Sequence, residues 1–312
     1  MSVDQSDLVN TLTKKRQLND HSKETHSLSS YGKDPARSTG LMETAKLRTF
    51  RLAANQSVLM NRMTKFLLLL TIPAIVLQTA PADDAARVHP STHAQVRLAS
   101  WWFARHADKV AEIEAANDPK QDRKIDLLMV GDSITNNFDK GGPGADVWQQ
   151  YFAPLNALNL GFGGDRTNHV LWRLEHLPEL KTPPAAASVM IGTNNICWGS
   201  DQPSQAADGV QAIARRLNQM YPDMKILVVG VFPRRRSPDH PHRKQIVQLN
   251  SCLPDLLRDI PNVTYVDIGE KFLDDKGFLS AEMMPDTTHP SERGHEIWAQ
   301  AIVPTLKKLM KR

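Results

Sequence analysis

From residue 83 onward, apolar runs of strand length alternate with stretches of helical spacing. Residues 125–130 (IDLLMV) form the first run, patterned like a strand buried on both faces, and it stops at Gly131. Residues 157–160, 188–191, 225–231 (KILVVGV) and 263–267 supply four more strands. Around them, 100–116, 167–176, 205–220, 245–260 and 292–310 place apolar side chains along one helical face. Five strands separated by helices predict an α/β fold, because parallel neighbours need crossovers of helix length. The expected architecture is a three-layer sandwich, one parallel sheet with helices on both faces. No internal repeat or second boundary interrupts the pattern, so 83–312 is expected to form one domain. In such sheets the working residues gather beyond the carboxyl ends of the strands, where strand order reverses.

The first eighty residues follow another pattern. Residues 1–59 are polar without a sustained apolar period, and predict an extension that buries no core. Residues 60–65 (MNRMTK) then carry two positive charges, 66–77 (FLLLLTIPAIVL) form an apolar run, and Ala80-Pro81-Ala82 ends it in small residues. Those are the three parts of a secretory signal peptide. The run is too short to span a membrane, which takes about 20 apolar residues, and Pro73 interrupts it. The pattern predicts a signal peptide at 60–82, cleavage near Asp83, and a secreted or periplasmic product without stable membrane insertion. It also predicts Met60 as the working start, with a basic tail ahead of an uncleaved anchor, or a buried apolar helix, as the alternatives.

Charge changes the picture less than it first promises. Lys and Arg number 38 against 34 Asp and Glu, but 11 and 6 of these lie in residues 1–82. The predicted domain keeps 27 against 28 and is close to neutral, which gives no reason to expect nucleic acid or an anionic lipid surface as partner. Two cysteines exclude a disulfide-stapled scaffold and a thiolate-rich zinc cluster. Cys197 follows a loop and Cys252 sits mid-helix, so both are expected as free thiols.

Candidate chemistry sits at the predicted strand ends. After the first strand comes Gly131-Asp132-Ser133. A serine on a strand-to-helix turn can be a nucleophile, and Asp132 or Ser133 can equally be a helix cap. After the second comes Gly161-Phe162-Gly163-Gly164-Asp165, where glycine lets backbone N–H groups approach a substrate oxygen or simply forms a turn. After the third comes Gly192-Thr193-Asn194-Asn195, whose amides can donate to an oxyanion or satisfy a turn. Before the last helix stands Asp286-Thr287-Thr288-His289-Pro290. An acid three residues before a histidine on one turn can orient its ring for general-base work. Asp286 and His289 could also ligate a metal with His240 and His242, although nearby arginines disfavour a cation there. Arg234-Arg235-Arg236 is expected to be a solvated charge run, and Trp101, Trp102 and Phe103 a helix face docked on the sheet.

The four blocks in this order resemble the GDSL, or SGNH, hydrolase family over residues 101–308. The similarity is greatest to the catalytic subunits of intracellular platelet-activating-factor acetylhydrolase and the bacterial esterases like them, in residues 128–133, 154–174, 192–195 and 231–234. The resemblance implies a flavodoxin-like sheet in the order 2-1-3-4-5 and a serine esterase that needs no cofactor. It implies Ser133 as nucleophile, His289 as base and Asp286 as the residue orienting the ring. The oxyanion hole would be the N–H groups of Ser133 and Gly164 with the Asn194 side chain. Thr288 replaces an apolar residue of those subunits; with Ile134 and Pro290 it is expected to line the substrate pockets, so lipid specificity does not carry over. The expected partner is a small-molecule or carbohydrate ester, most simply a sugar acetate, and a homodimer is left open. The alternative function is a phospholipid acetylhydrolase or lysophospholipase-like lipid esterase; a metal-dependent hydrolase and a silent carbohydrate-binding module are the competing classes.

Overall fold

Within each strand, alternate side chains enter two different cores, and this sets the layers. The computed structural model describes residues 89–139, 141–199 and 201–311, which lie within the unit Ile75–Arg312. The extension at 1–59 and the signal segment at 60–82 lie outside the described residues. Strands β1 (Leu127–Gly131), β2 (Ala157–Gly161), β3 (Ala186–Met190), β4 (Lys225–Val229) and β5 (Val263–Val266) form one sheet. Every pairing is parallel and the order is β2-β1-β3-β4-β5. The expected fold and strand order are therefore observed.

Leu128, Val130, Val189, Ile226 and Val228 enter the first core. They meet α1 (Ser100–Asn117), α4 (Thr167–His176), α6 (Pro203–Met220) and α7 (Pro241–Leu257) there, through residues such as Ile113, Val170, Ile213 and Leu249. Leu127, Met129, Leu227 and Val229 enter the second, against Val147 of α3 (Ala145–Tyr151) and Trp298 and Ile302 of α8 (Glu292–Leu309). Full burial of each such aliphatic side chain stabilises by about 1.5–3 kcal/mol. Two further α-helices are short, α2 (Ser133–Asn136) and α5 (Thr193–Cys197), and three 3-10 turns lie at Pro90–Thr92, Ala153–Leu155 and Gly269–Phe272.

Three local differences from the sequence pattern have physical causes. β4 stops at Val229 because the Val231 backbone pairs with the Asn250 side chain, which accepts from its N–H and donates to its carbonyl. α3 shows no pattern because its apolar face is short and follows Gly141, Gly142 and Gly144. α7 starts earlier than its apolar spacing, at Pro241, where the His240 ring accepts from the His242 N–H and caps the helix. Cys197 and Cys252 are free.

β1 lies between β2 and β3, so the connections leaving the sheet reverse direction beside it. Gly131 is in register with Gly161 on one side and Met190 on the other. The turns after three adjacent strands therefore open on one crevice.

Candidate active site

Ser133 is the first residue of α2, lifted above the end of β1 by a tight turn. That turn needs Gly131: a Cβ there would meet Thr135 Oγ1 at 2.1 Å and the Met190 carbonyl at 2.7 Å. Asp132, not Ser133, caps α2, its Oδ1 accepting from the Ile134 N–H at 3.0 Å. The Ser133 hydroxyl is thereby left free of capping. Its Oγ lies 2.8 Å from His289 Nε2.

His289 comes from the turn before α8. Its Nδ1 is 2.6 Å from Asp286 Oδ2. The other carboxylate oxygen, Oδ1, accepts from the backbone N–H groups of Thr288 and His289 at 2.9 and 2.7 Å. The network fixes the tautomer: Nδ1 carries the proton toward Asp286 and Nε2 is open to accept from Ser133. Partial burial alone would raise the Asp286 carboxyl, but hydrogen bonds from the His289 ring and the two N–H groups outweigh it and hold it below its ordinary range.

The 161–165 loop and α5 complete the arrangement. Gly164 has φ +71°, a left-handed conformation that favours glycine. Among the described residues, neither the Gly164 N–H nor the Ser133 N–H meets a protein acceptor. Asn194 is buried and donates one Nδ2–H to the Asp165 carbonyl at 2.9 Å, which aims the amide and leaves a second N–H. Asp165 anchors the loop from below, accepting from Trp102 Nε1 and Arg173 Nε at 2.8 Å each. Helix α1 and the segment before it clamp the same loop from outside: Arg97 donates to the Gly163 carbonyl at 2.8 Å and Arg105 to the Gly161 carbonyl at 2.8 Å.

Ser133, His289 and Asp286 are joined in one hydrogen-bonded chain, with Gly164 and Asn194 on the turns that follow β2 and β3, while several secondary expectations change. Arg234 is not part of a solvated run. It is 5 % exposed and donates to Thr193 and Thr288, because the chain leaving β4 turns inward between those two loops. Trp102 docks as expected, but Trp101 is 46 % exposed beneath the Arg97 guanidinium. Ile134 and Pro290 do not line an open pocket: Ile134 packs in the second core with Phe138 and Trp298, and Pro290 is buried against the first turn of α8. The sequence pattern missed Arg97 and Arg173, since an isolated arginine carries no periodic signal, and read Arg234 only as part of a charge run; each is placed only by long-range folding. Among the described residues, no three His, Cys, Asp or Glu side chains gather as a metal site, and no helix is long and apolar enough to cross a membrane.

Asp132 carries a testable electrostatic signature. It is fully buried and its Oδ2 has no hydrogen-bond partner. Burial pushes its carboxyl up to about 7, against the Ile134 N–H bond and the His289 and Arg234 charges that favour ionisation. A carboxyl raised on folding contributes stability that is present at acid pH and lost as pH rises toward the folded value. Between about pH 4 and pH 7 the wild type should therefore lose stability that Asp132→Asn keeps. Thermal melts at both pH values should show the Tm gap between the two proteins shifting by several degrees in favour of Asp132→Asn at pH 7. A gap independent of pH would contradict the assignment.

Ser133, His289 and Asp286 thus form one hydrogen-bonded chain at the end of the sheet, and the comparisons with known proteins bear on what family carries it. Residues 129–297 match the model of the GDSL-like lipase/acylhydrolase family. The alpha2 subunit of platelet-activating factor acetylhydrolase IB from Gallus gallus is 33% identical over 188 residues, 60% of this chain and 76% of that one. The alpha1 subunit from Rattus norvegicus is 30% identical over 209 residues, 67% and 84%. A GDSL-like lipase from Bacteroides thetaiotaomicron shares the fold with TM-score 0.54 and 18% identity, over 66% of this chain and 98% of its own. With the sheet order, the family match and these relatives in hand, the chain belongs to the GDSL-like lipase/acylhydrolase family and is a carboxylic ester hydrolase.

Proposed function

We propose that this esterase removes short acyl groups, acetyl above all, from acylated carbohydrates through an acyl-enzyme. Ser133 Oγ attacks the ester carbonyl as its proton passes to His289 Nε2, and Asp286 supports the imidazolium. The Ser133 and Gly164 N–H groups and Asn194 Nδ2 receive the oxyanion. His289 returns the proton to the leaving alkoxide, and water reverses the sequence to release the acid. The observation that carries this is the unbroken relay from Ser133 through His289 to Asp286, at 2.8 and 2.6 Å.

Two features support the substrate class. Trp101 reaches over Gly163, and Trp198, 80 % exposed, follows Asn194 by four residues. An exposed indole over the loop that carries Gly164, as Trp101 has, offers a flat apolar face to a sugar ring. The neighbours of Ser133 and His289 in the chain, Ile134 and Pro290, are spent on internal packing rather than on a long acyl channel. The signal-like segment at 60–82 favours action outside the cytoplasm, where such esters are met. The second reading comes from the relatives, which are named as platelet-activating factor acetylhydrolases.

Rates on p-nitrophenyl esters from acetate to decanoate, acetylated monosaccharides and platelet-activating factor test the proposal. The ratio kcat/KM should be highest for acetyl and fall tenfold or more by octanoyl, since a single methylene can be worth roughly 10–200-fold in a fitted pocket. Acetylated sugars should outperform the lipid. Rates that rise with acyl length beyond about eight carbons, or a preference for the lipid, would replace carbohydrate by lipid as the substrate class.

A further inference from the structure

We propose that Arg234 is a positioning residue that couples the turn carrying Asn194 to the turn carrying His289. The proposal rests on the catalytic roles assigned above. From β4 the chain runs inward, and the Arg234 guanidinium ends between two loops that are 95 residues apart in sequence (193 and 288). Its Nη1 donates to Thr193 Oγ1 at 3.1 Å, and its Nη2 donates to Thr288 Oγ1 at 3.1 Å. Thr193 precedes Asn194 and Thr288 precedes His289. A planar guanidinium fixes both bonds in one rigid fork, which a flexible ammonium cannot do. The oxyanion donor and the base are thereby referred to a single group.

The backbone around Arg234 is held with equal care. Arg243 on α7 donates through Nε to the Arg234 carbonyl at 3.1 Å and through Nη2 to the Arg235 carbonyl. The Arg235 N–H donates to the Thr287 carbonyl at 2.8 Å. Thr287 and Arg235 both have positive φ, +65° and +67°. A β-branched residue in left-handed backbone persists only where its surroundings over-determine it. The strap of Arg234 and Arg235 does this for the turn that presents His289.

Charge argues against simple internal packing. Arg234 is 5 % exposed, its Nε has no partner, and it makes no salt bridge among the described residues. A buried cation without a carboxylate is costly, so a group needed only to fill space would be neutral. The charges it faces belong to the catalytic region: Asp132 and Asp286, with the neutral thiol of Cys197 beside them and Arg235 opposing.

The test compares Thr288→Val, Thr288→Ser and Arg234→Met by steady-state kinetics and thermal melting, with Ser133→Ala in parallel. Arg234→Met should lower kcat roughly ten- to a hundredfold, the scale of a small misplacement of reacting groups, with KM within about threefold. Thr288→Val should lower kcat about tenfold at unchanged Tm, Thr288→Ser should restore it, and Thr288→Val should add little to Arg234→Met because both remove one coupling. If Arg234→Met does not fold, the Thr288 pair alone decides. Wild-type kcat in Thr288→Val, or a loss that Thr288→Ser does not rescue, overturns the proposal while an inactive Ser133→Ala leaves the catalytic assignment standing. An active Ser133→Ala protein overturns both.

Discussion

Ser133→Ala and His289→Ala should each lower kcat by roughly 10⁴- to 10⁶-fold, and the double variant should be little worse than either. Without Ser133 Oγ no acyl-enzyme forms. Without His289 the hydroxyl, 2.8 Å from the missing Nε2, keeps its proton at neutral pH and attacks poorly. The two side chains make one device, so the second deletion removes nothing that the first had left. What survives is water attack on an ester still held near its N–H donors. Ser133 and His289 are both half-buried and outside the two cores, so Tm should change little. Progress curves at high enzyme concentration, with Tm as the folding control, measure this. A Ser133→Ala protein retaining wild-type turnover would show that another group attacks the ester.

Asn194→Ala should lower kcat by about 10²–10³-fold while KM changes only a fewfold. The Asp165 carbonyl occupies one Nδ2–H at 2.9 Å, and the other is free for charge that exists only once the carbonyl has become tetrahedral. A donor aimed at developing charge contributes to the transition state and little to the ground state. Kinetics with an ester whose acylation limits the rate would show it. A rise in KM with unchanged kcat would mean that the amide binds substrate uniformly instead.

Much of this molecule is legible in its residue pattern, for identifiable reasons. β1 and β4 are buried on both faces, so IDLLMV and KILVV can scarcely be anything but interior strands. The blocks at 131–133, 161–165, 192–195 and 286–290 are local, each fitting within one turn, and locality makes them readable. What escapes is whatever depends on distant partners. The arginine triplet at 234–236 looks like a solvated run because nothing nearby announces that Thr193 and Thr288 await the first guanidinium. Ile134 looks like a pocket residue from its place beside the nucleophile, yet the short helix turns it into the second core. The three adjacent aromatic residues at 101–103 split the same way: helix geometry sends Trp102 inward to Asp165 and leaves its neighbour Trp101 at the surface.

Helix α1 shows where the working unit begins. The family-matched stretch starts at residue 129 and includes every motif residue, so it looks self-sufficient. Yet the loop that carries Gly164 is gripped by Arg97, Trp102 and Arg105, all upstream of that stretch. Two of those grips fall on backbone carbonyls, which any sequence presents, so the contact leaves no mark on the loop's own residues. The chemistry sits in short recognisable blocks, whereas the rigidity that makes it usable comes from helix α1 and the segment before it, through Arg97, Trp102 and Arg105. A fragment cut to the motifs would preserve the text of the enzyme and forfeit its tension.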